Sequence, residues 1–599
     1  MVTARELVPL ATALCFSVAG CNAILGIDDV SGPDPIDAAV DAPPGPPTAP
    51  ALRSPRMGAT TGSVHAAASL RPHFAWRPVA GATRYELAVD DSCEVSSFQT
   101  CVFPSPELDE TDLATAAYVS DEALPVALSP PVGRRYYWRV RACNDQGCGD
   151  WSATWYLDVG RLADDVNGDG YGDLVVGMLA TADGPTTIGS AYLVFGNAEG
   201  IPSTIVTLRD PIQAPDARFG NAVAMVGDLN ADGYGDVAIG AWRSQRTKHN
   251  GFVFVYLGRG TWPATVDSES TGYGLATDAP ADFLGSALAG RGDINGDGYC
   301  DIAMAAVARE DPNSVGHVYV SLGRAALAGA HLGADVTIPD PTGGATSVFG
   351  RDISMGDFDE DGLSDVIIGA PGVDDARGAV VLYRGRRDLT PTPLTIDEPD
   401  VLLSSPAPGV ALFGMAATVC KSPDAMPALA VGSPQEDSPG ETAGGARIYA
   451  GRDMWPRLVT TADRTLPAPT QSARDAMGSA LACDDVLPDG DDDLIVSAPT
   501  GDDVGALYVY SRAAALPMTA NVTLTQQTSG TLGYSVATTD FNGDGTSDVF
   551  ASAPRANGSK GVVAGWLGRS SWPSIVDTAD LTIENPTATA GERFGDSLE

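Results

Sequence analysis

Residues 292–301 read GDINGDGYCD, and this stretch decides the architecture of most of the chain. Oxygen-bearing side chains alternate through it as Asp293, Asn295 and Asp297 around a glycine turn, and Asp301 closes the set at the ninth position. That spacing folds carboxylates and a backbone carbonyl onto one centre, as a hard cation such as calcium requires. The residues that follow, DIAMA from Asp301, form a short apolar run that predicts a buried strand.

The pattern recurs as Asp165, Asn167, Asp169 and Asp173; as Asp228, Asn230, Asp232 and Asp236; as Asp357, Asp359, Asp361 and Asp365; and as Asp540, Asn542, Asp544 and Asp548. About five Ca2+ sites are therefore expected. An EF-hand is excluded, because it needs a carboxylate at position 12 and flanking helices. Position 12 is Val176, Ile239, Met304, Ile368 or Ala551, and a strand follows each loop.

First positions fall at Asp165, Asp228, Asp293, Asp357, Cys420, Asp485 and Asp540, so the spacings are 63, 65, 64, 63, 65 and 55 residues and the units number seven. Each unit adds a second strand such as GFVFVYLG. An apolar-Gly mark precedes every loop but the first: Phe219-Gly220, Leu284-Gly285, Phe349-Gly350, Phe413-Gly414, Met477-Gly478 and Leu532-Gly533. A third mark follows the strand after the loop, as in GAP at Gly369–Pro371 and SAP at Ser497–Pro499. Three linked motifs at one period resemble the FG-GAP repeats of the integrin α-subunit β-propeller. The resemblance covers about 435 residues and implies a seven-bladed β-propeller over 161–599 with ligand binding on one face of the ring. The unpaired mark Phe594-Gly595 near the C-terminus complements the loop at Asp165, which lacks one, so Arg593 to Leu598 is expected to supply the inner strand of the first unit.

Two loops depart from the pattern. Loop five, CKSPDAMPA, has Cys420, Ser422 and Ala428 where carboxylates belong and keeps only Asp424, so it is expected to hold no cation. Loop six keeps Asp485, Asp489 and Asp493 but has Leu487 at position 3. Cys420 and Cys483 lie in adjacent units, and a disulfide or two free buried thiols both remain open; Cys300 has no evident partner.

Ahead of the repeats, residues 51–160 alternate aromatic or branched residues with polar ones, which predicts an all-β sandwich. The segment resembles a fibronectin type III domain, with Trp76 at the core tryptophan position and Tyr136–Val140 in the penultimate strand. Proximity pairs Cys93 with Cys101 and Cys143 with Cys148 as two local disulfides, although four cysteines allow three pairings. The N-terminus, MVTARELVPLATALCFSVAGC, is too short in its apolar part to span a bilayer and predicts an export signal over 1–20. Its ending VAGC resembles a bacterial lipobox, which implies acylation of Cys21. Residues 21–50, rich in Pro, Asp and Ala, predict a disordered tether.

A net charge of -41 excludes nucleic acid as a partner and argues against an anionic membrane surface, which leaves the lipid as the expected membrane attachment. The five complete loops hold 16 Asp, so five divalent cations would bring -41 to about -31. The RGD at Arg291–Asp293 is discounted for adhesion because Asp293 is a loop ligand. TWP, MWP and SWP at Trp262, Trp455 and Trp572 predict packing rather than sugar platforms. The five histidines, His65, His73, His249, His317 and His331, show no ligand spacing, and no nucleophile elbow is present. The expectation is a non-catalytic, monomeric binding or adhesion protein of the bacterial cell envelope, exported, lipid-anchored at the outer membrane or cell surface, with a protein or glycan as ligand. A propeller-type carbohydrate-active hydrolase or lyase, and a purely structural envelope component, are the alternatives.

Overall fold

Apolar runs bounded by glycines become strands buried on both faces, and in a computed structural model of the chain these strands make an all-β protein. The structure describes residues 45–599 except 180–187, 203, 214–216, 245–250, 268–271, 277–282, 308–314, 328–330, 345, 407–408, 424, 436, 439–440, 443, 453, 470–475, 500–503, 513–519, 527–529 and 588–590. The export signal, Cys21 and most of the tether lie outside the described residues, as do His249 and Asp424. Pro46–Glu599 is one compact unit.

The first part of that unit is two facing sheets. Leu52–Ser54, His73–Trp76 and Ala117–Val119 form one; Ala59–Thr60, Trp155–Val159, Arg134–Asn144, Arg84–Asp90 and Leu108–Leu113 form the other, with Gly147–Cys148 paired to Arg134–Asn144. Phe74, Trp76, Leu87, Trp138 and Val140 fill the space between them. The Tyr136 hydroxyl donates to the Pro125 carbonyl at 2.5 Å, which fixes the turn into its strand. Cys93 is joined to Cys101 and Cys143 to Cys148.

Among the described residues seven further sheets of four or five strands follow, each built on an antiparallel meander in the order inner strand, post-loop strand, third strand, fourth strand, with a separate two-stranded pair, Asp437–Ser438 and Glu441–Thr442, beside them in the sequence. In the second, Phe219–Gly227 pairs with Asp236–Ala241, which pairs with Val253–Tyr256, which pairs with Gly272–Leu275. The first sheet takes its inner strand from the far end of the chain. Phe594–Leu598 pairs antiparallel with Leu174–Met178, and Val175 N–H donates to the Glu599 carbonyl. Inner strands touch in sequence from one sheet to the next, and the last sheet meets Phe594–Leu598, so the array closes.

Two devices lock neighbouring sheets. The apolar residue of each mark is buried, and its glycine lies against the small residue that ends the preceding sheet's post-loop strand. A methyl on Gly240 would stand 2.1 Å from the Gly285 carbonyl oxygen, and one on Gly369 would stand 2.1 Å from that of Gly414. The two sequence marks are therefore halves of one contact. In addition, in five of these sheets a two-residue strand from the next unit joins the outer edge in parallel, among them Thr265–Val266 beside Ile205–Arg209, Leu458–Val459 beside Val401–Ser404, and Ile575–Val576 beside Val522–Leu524. These short strands cover edges that would otherwise expose unpaired backbone groups.

Closure has a measurable energy. Phe594 is fully buried against Tyr192, so Phe594→Ala is expected to cost about 3–5 kcal/mol in denaturant unfolding, and deletion of residues 592–599 to lower the melting temperature cooperatively. A truncated chain that melts like the intact one would show that the terminal strand does not hold the ring.

Candidate metal centres

The loops connect each inner strand to the next strand, and their shape comes from side chains that hydrogen-bond the backbone. In loop one, Asp165 accepts from the N–H groups of Asp169 and Gly170, Asn167 Oδ1 accepts from Asp169 N–H, and Asp169 Oδ1 accepts from Tyr171 N–H. The sixth residue, Gly170, is left-handed at φ 94°, which lets the chain turn through this network. Loops two, three and seven repeat the arrangement through Asp228, Asn230 and Asp232; Asp293, Asn295 and Asp297; and Asp540, Asn542 and Asp544. Within each loop the structure thus brings the residues of positions 1, 3 and 5 together.

The ninth carboxylate reaches further. Asp173 accepts from Val166 N–H at 2.9 Å and from Gly196 N–H at 3.0 Å, so one side chain ties the loop to the end of the third strand. Asp236, Asp301, Asp365 and Asp548 do the same with Gly258, Gly323, Gly385 and Gly568. This explains the glycine after the third strand: a methyl on Gly258 would stand 2.3 Å from the Gly235 carbonyl oxygen.

Loop four tests whether these residues suit a cation. Carboxylate oxygens of Asp357, Asp359 and Asp361 lie within 4.8 Å of one another, and the buried Asp357 Oδ1 and Asp359 Oδ1 have no hydrogen-bond partner. Unpaired buried oxygens converging on one point fit a divalent cation. The electrostatics agree. Burial, then repulsion from Asp169, raises the Asp165 carboxyl to about 8; burial raises Asp540 to about 7 and Asp548 to about 8. Asp173, Asp236, Asp301 and Asp365 are pushed well above the ordinary carboxyl range, chiefly by burial and then by their loop neighbours. A cation bound among these groups would relieve that repulsion.

Loops five and six are built differently. Cys420 is joined to Cys483, and Arg512 donates to the Cys420 and Met426 carbonyls, so a covalent bond and a guanidinium hold the place of a ligand set. In loop six Asp485 still accepts from Asp489 N–H, but Leu487 supplies a backbone N–H to Asp493 and no side-chain oxygen. The free Cys300 thiol is pushed up by burial, and so is poorly nucleophilic. Arg291 of the RGD pairs with Asp164 at 3.4 Å, and Asp293 is buried. Trp262 Nε1 donates to the Val166 carbonyl and Trp572 Nε1 to that of Val486, while Trp455 packs on Phe358; each covers the second residue of a loop.

Two features escaped the sequence reading. Glu360, the fourth residue of loop four, receives Arg53, Arg56 and Arg77 from the sandwich. A second set of aspartates, Asp335, Asp400, Asp463 and Asp580, accepts a backbone N–H at the end of the third strand, from Leu322, Arg384, Ala450 and Leu567, and pairs with Arg324, Arg386, Arg452 and Arg569. The signal was present as a Gly-Arg after each of those strands.

The FG-GAP repeat family model matches residues 219–256, 349–383 and 532–566. The chain is similar to chicken (Gallus gallus) integrin alpha-6, 36% identical over 150 residues, which is 24% of this chain and 13% of that protein. It is similar to Drosophila melanogaster integrin alpha-PS3 at 35% over 156 residues, 25% and 13% of the two chains. It is also similar to bovine (Bos taurus) phosphatidylinositol-glycan-specific phospholipase D at 40% over 103 residues, 16% and 12%. The matched segment thus spans about an eighth of each relative's length. Among solved structures, the Dos1 propeller aligns over 63% of this chain and 78% of its own, with a TM-score of 0.28 and 12% identity. The three matched segments are FG-GAP repeats, each lying in one sheet of the closed array, and part of the chain is similar to integrin α-subunits.

Cation removal should therefore change both stability and its pH dependence. At ten times the dissociation constant each occupied site adds about 1.4 kcal/mol, so a chelator is expected to lower the melting temperature substantially. With the cation removed, Asp297 at about 6, Asp540 at about 7 and Asp165 and Asp548 at about 8 keep protons that the unfolded chain releases near 3.8. Stability in chelator should then be greatest in acid and be lost as pH rises through about 6 to 8, while added calcium flattens or reverses the trend. Melting curves at pH 5.5 and 8.5, with and without chelator, test this, and parallel pH profiles would refute it. Asp297→Ala should weaken one site of the set and cost stability only when calcium is present.

Proposed function

We propose that the chain is an exported, calcium-stabilised recognition protein held to the bacterial envelope by lipid. In this reading residues 1–20 are removed, Cys21 is acylated, 21–50 is a tether, 51–160 is a fibronectin type III-like sandwich and 161–599 is a seven-bladed FG-GAP propeller whose surface takes a protein or glycan ligand. One observation carries the reading. The five complete ligand sets sit in turns between strands, and their ninth carboxylates, all buried, are bonded into the backbone of the same sheet. A cation there stiffens the ring, and this leaves the ring's surface for recognition. The similarity to integrin α-subunits supports the binding role.

A second reading rests on the residues around Arg291. Its guanidinium lies near Asp164 and Glu599, and burial raises Glu599 to about 7; Asp352, within the same electrostatic neighbourhood, is also raised to about 7 by burial. Carboxyls that titrate near neutrality suit acid-base chemistry, so a hydrolase or lyase is the alternative. The described histidines are dispersed: His65 stacks on Tyr171, His73 begins a sandwich strand and His317 stacks on Tyr319.

A glycan array and pull-down with the calcium-loaded Cys21→Ser chain test the binding reading. Saturable capture that chelator abolishes is expected, whereas glycan turnover lost in Glu599→Gln would favour the enzyme. Cys21→Ser also tests the anchor: wild-type chain should partition with membranes and take up labelled fatty acid, and the Cys21→Ser variant should not. Equal labelling would refute lipidation at Cys21.

A further inference from the structure

The sandwich sits on the cation loops. Val132 N–H donates to the Gly168 carbonyl at 3.0 Å, Ser63 Oγ donates to the Gly170 carbonyl at 2.6 Å and His65 Nε2 donates to the Asp169 carbonyl at 3.0 Å, all in loop one. Pro131 and Arg161 pack over Gly233 of loop two. On loop three, the Tyr156 hydroxyl donates to Asp293 Oδ2 at 3.0 Å in a buried contact, Arg135 donates to the Gly298 carbonyl, and Val95 and Phe98 cover Gly298. On loop four, Arg56 donates to the Asp357 carbonyl at 2.9 Å, and Trp155 covers Gly362. Ser63 and Ala66 lie over Gly543 and Gly545 of loop seven. Every loop with a complete ligand set thus carries part of the seat.

Most of these donors meet loop carbonyls or glycines, which are in position only when the turn is folded tightly. The carboxylates beneath repel one another; Asp357, 7% exposed, offers Oδ2 to Gly362 N–H and Arg56 while its Oδ1 has no hydrogen-bond partner, and Asp357, Asp359 and Asp361 each bring an oxygen within 4.8 Å of the others. A cation there would hold the turn in the shape that the sandwich grips.

We propose that the sandwich is a cation-dependent cap: occupancy of the five loops seats residues 51–160 on the ring, and loss of the cations releases them. The inference rests on the calcium reading above. Linkage makes it reciprocal, since a seat that needs the cation must also strengthen cation binding.

Hydrogen exchange on the full chain gives the first arm. Chelation should remove protection at Val132, whose N–H bonds across the seat, while amides of Arg84–Asp90 in the sandwich and Asp236–Ala241 in the ring stay protected. Val132 protection that survives chelation overturns the proposal. The second arm holds even if chelation loosens the ring. Ala66→Gln and Val95→Gln put neutral bulk between cap and loops seven and three without touching a ligand side chain. Calorimetry with calcium should then show two sites weakened by about tenfold, within the 5- to 150-fold range of ordinary coupling. Unchanged affinities at all sites, with Val132 deprotected in the cation-loaded variant, overturn the coupling. Absence of any calcium heat in the parent chain would instead refute the calcium reading itself, so the two failures are distinguishable.

Discussion

A buried carboxylate at the ninth position of each complete loop is the constraint from which the ring follows. Asp173, Asp236, Asp301, Asp365 and Asp548 each hold two backbone N–H groups, one in the loop and one past the third strand. Burying a charge is expensive unless it is paired and hydrogen-bonded. Two N–H donors offset part of that cost, and a divalent cation shared with positions 1, 3 and 5 would offset more. The same side chain thus sets the hairpin geometry of its sheet and creates the demand for metal.

Glycine carries the second constraint, the distance between sheets. Backbone approaches such as Gly240 to Gly285 and Gly432 to Gly478 leave no room for a side chain, and they fix how each sheet leans on the next. The apolar partner in each mark then fills the gap between sheets. Where the loop pattern is broken, between loops five and six, the Cys420–Cys483 bond and Arg512 provide a link of another kind.

The loops, the period and the closure were legible because each depends on residues close in sequence or on marks repeated at fixed spacing. Phe594-Gly595 could be matched to the unit at Asp165 because every other unit displays the pair. The two-residue parallel strands were not legible, since a segment as short as Thr265–Val266 has no periodicity to read. The seat of the sandwich was hidden for a different reason. Arg56 and Glu360, or Tyr156 and Asp293, are separated by hundreds or more than a hundred positions, and nothing local to either residue names the other. The Arg-Asp pairs outside the loops give a second local role to the acidity, because Asp335, Asp400, Asp463 and Asp580 serve strand ends.

Cation, loop and cap form one thermodynamic unit in this account, with the ring's stability, the position of the sandwich and the acidity of the chain linked through the same carboxylates. The number of cations per folded chain tests that most directly. Equilibrium dialysis against saturating calcium, followed by elemental analysis, should return about five per chain, because loop five has lost its ligand set and loop six lacks the position-3 oxygen. A chain that folds with no bound calcium at saturation would contradict it, and would mean that backbone turns alone satisfy these aspartates.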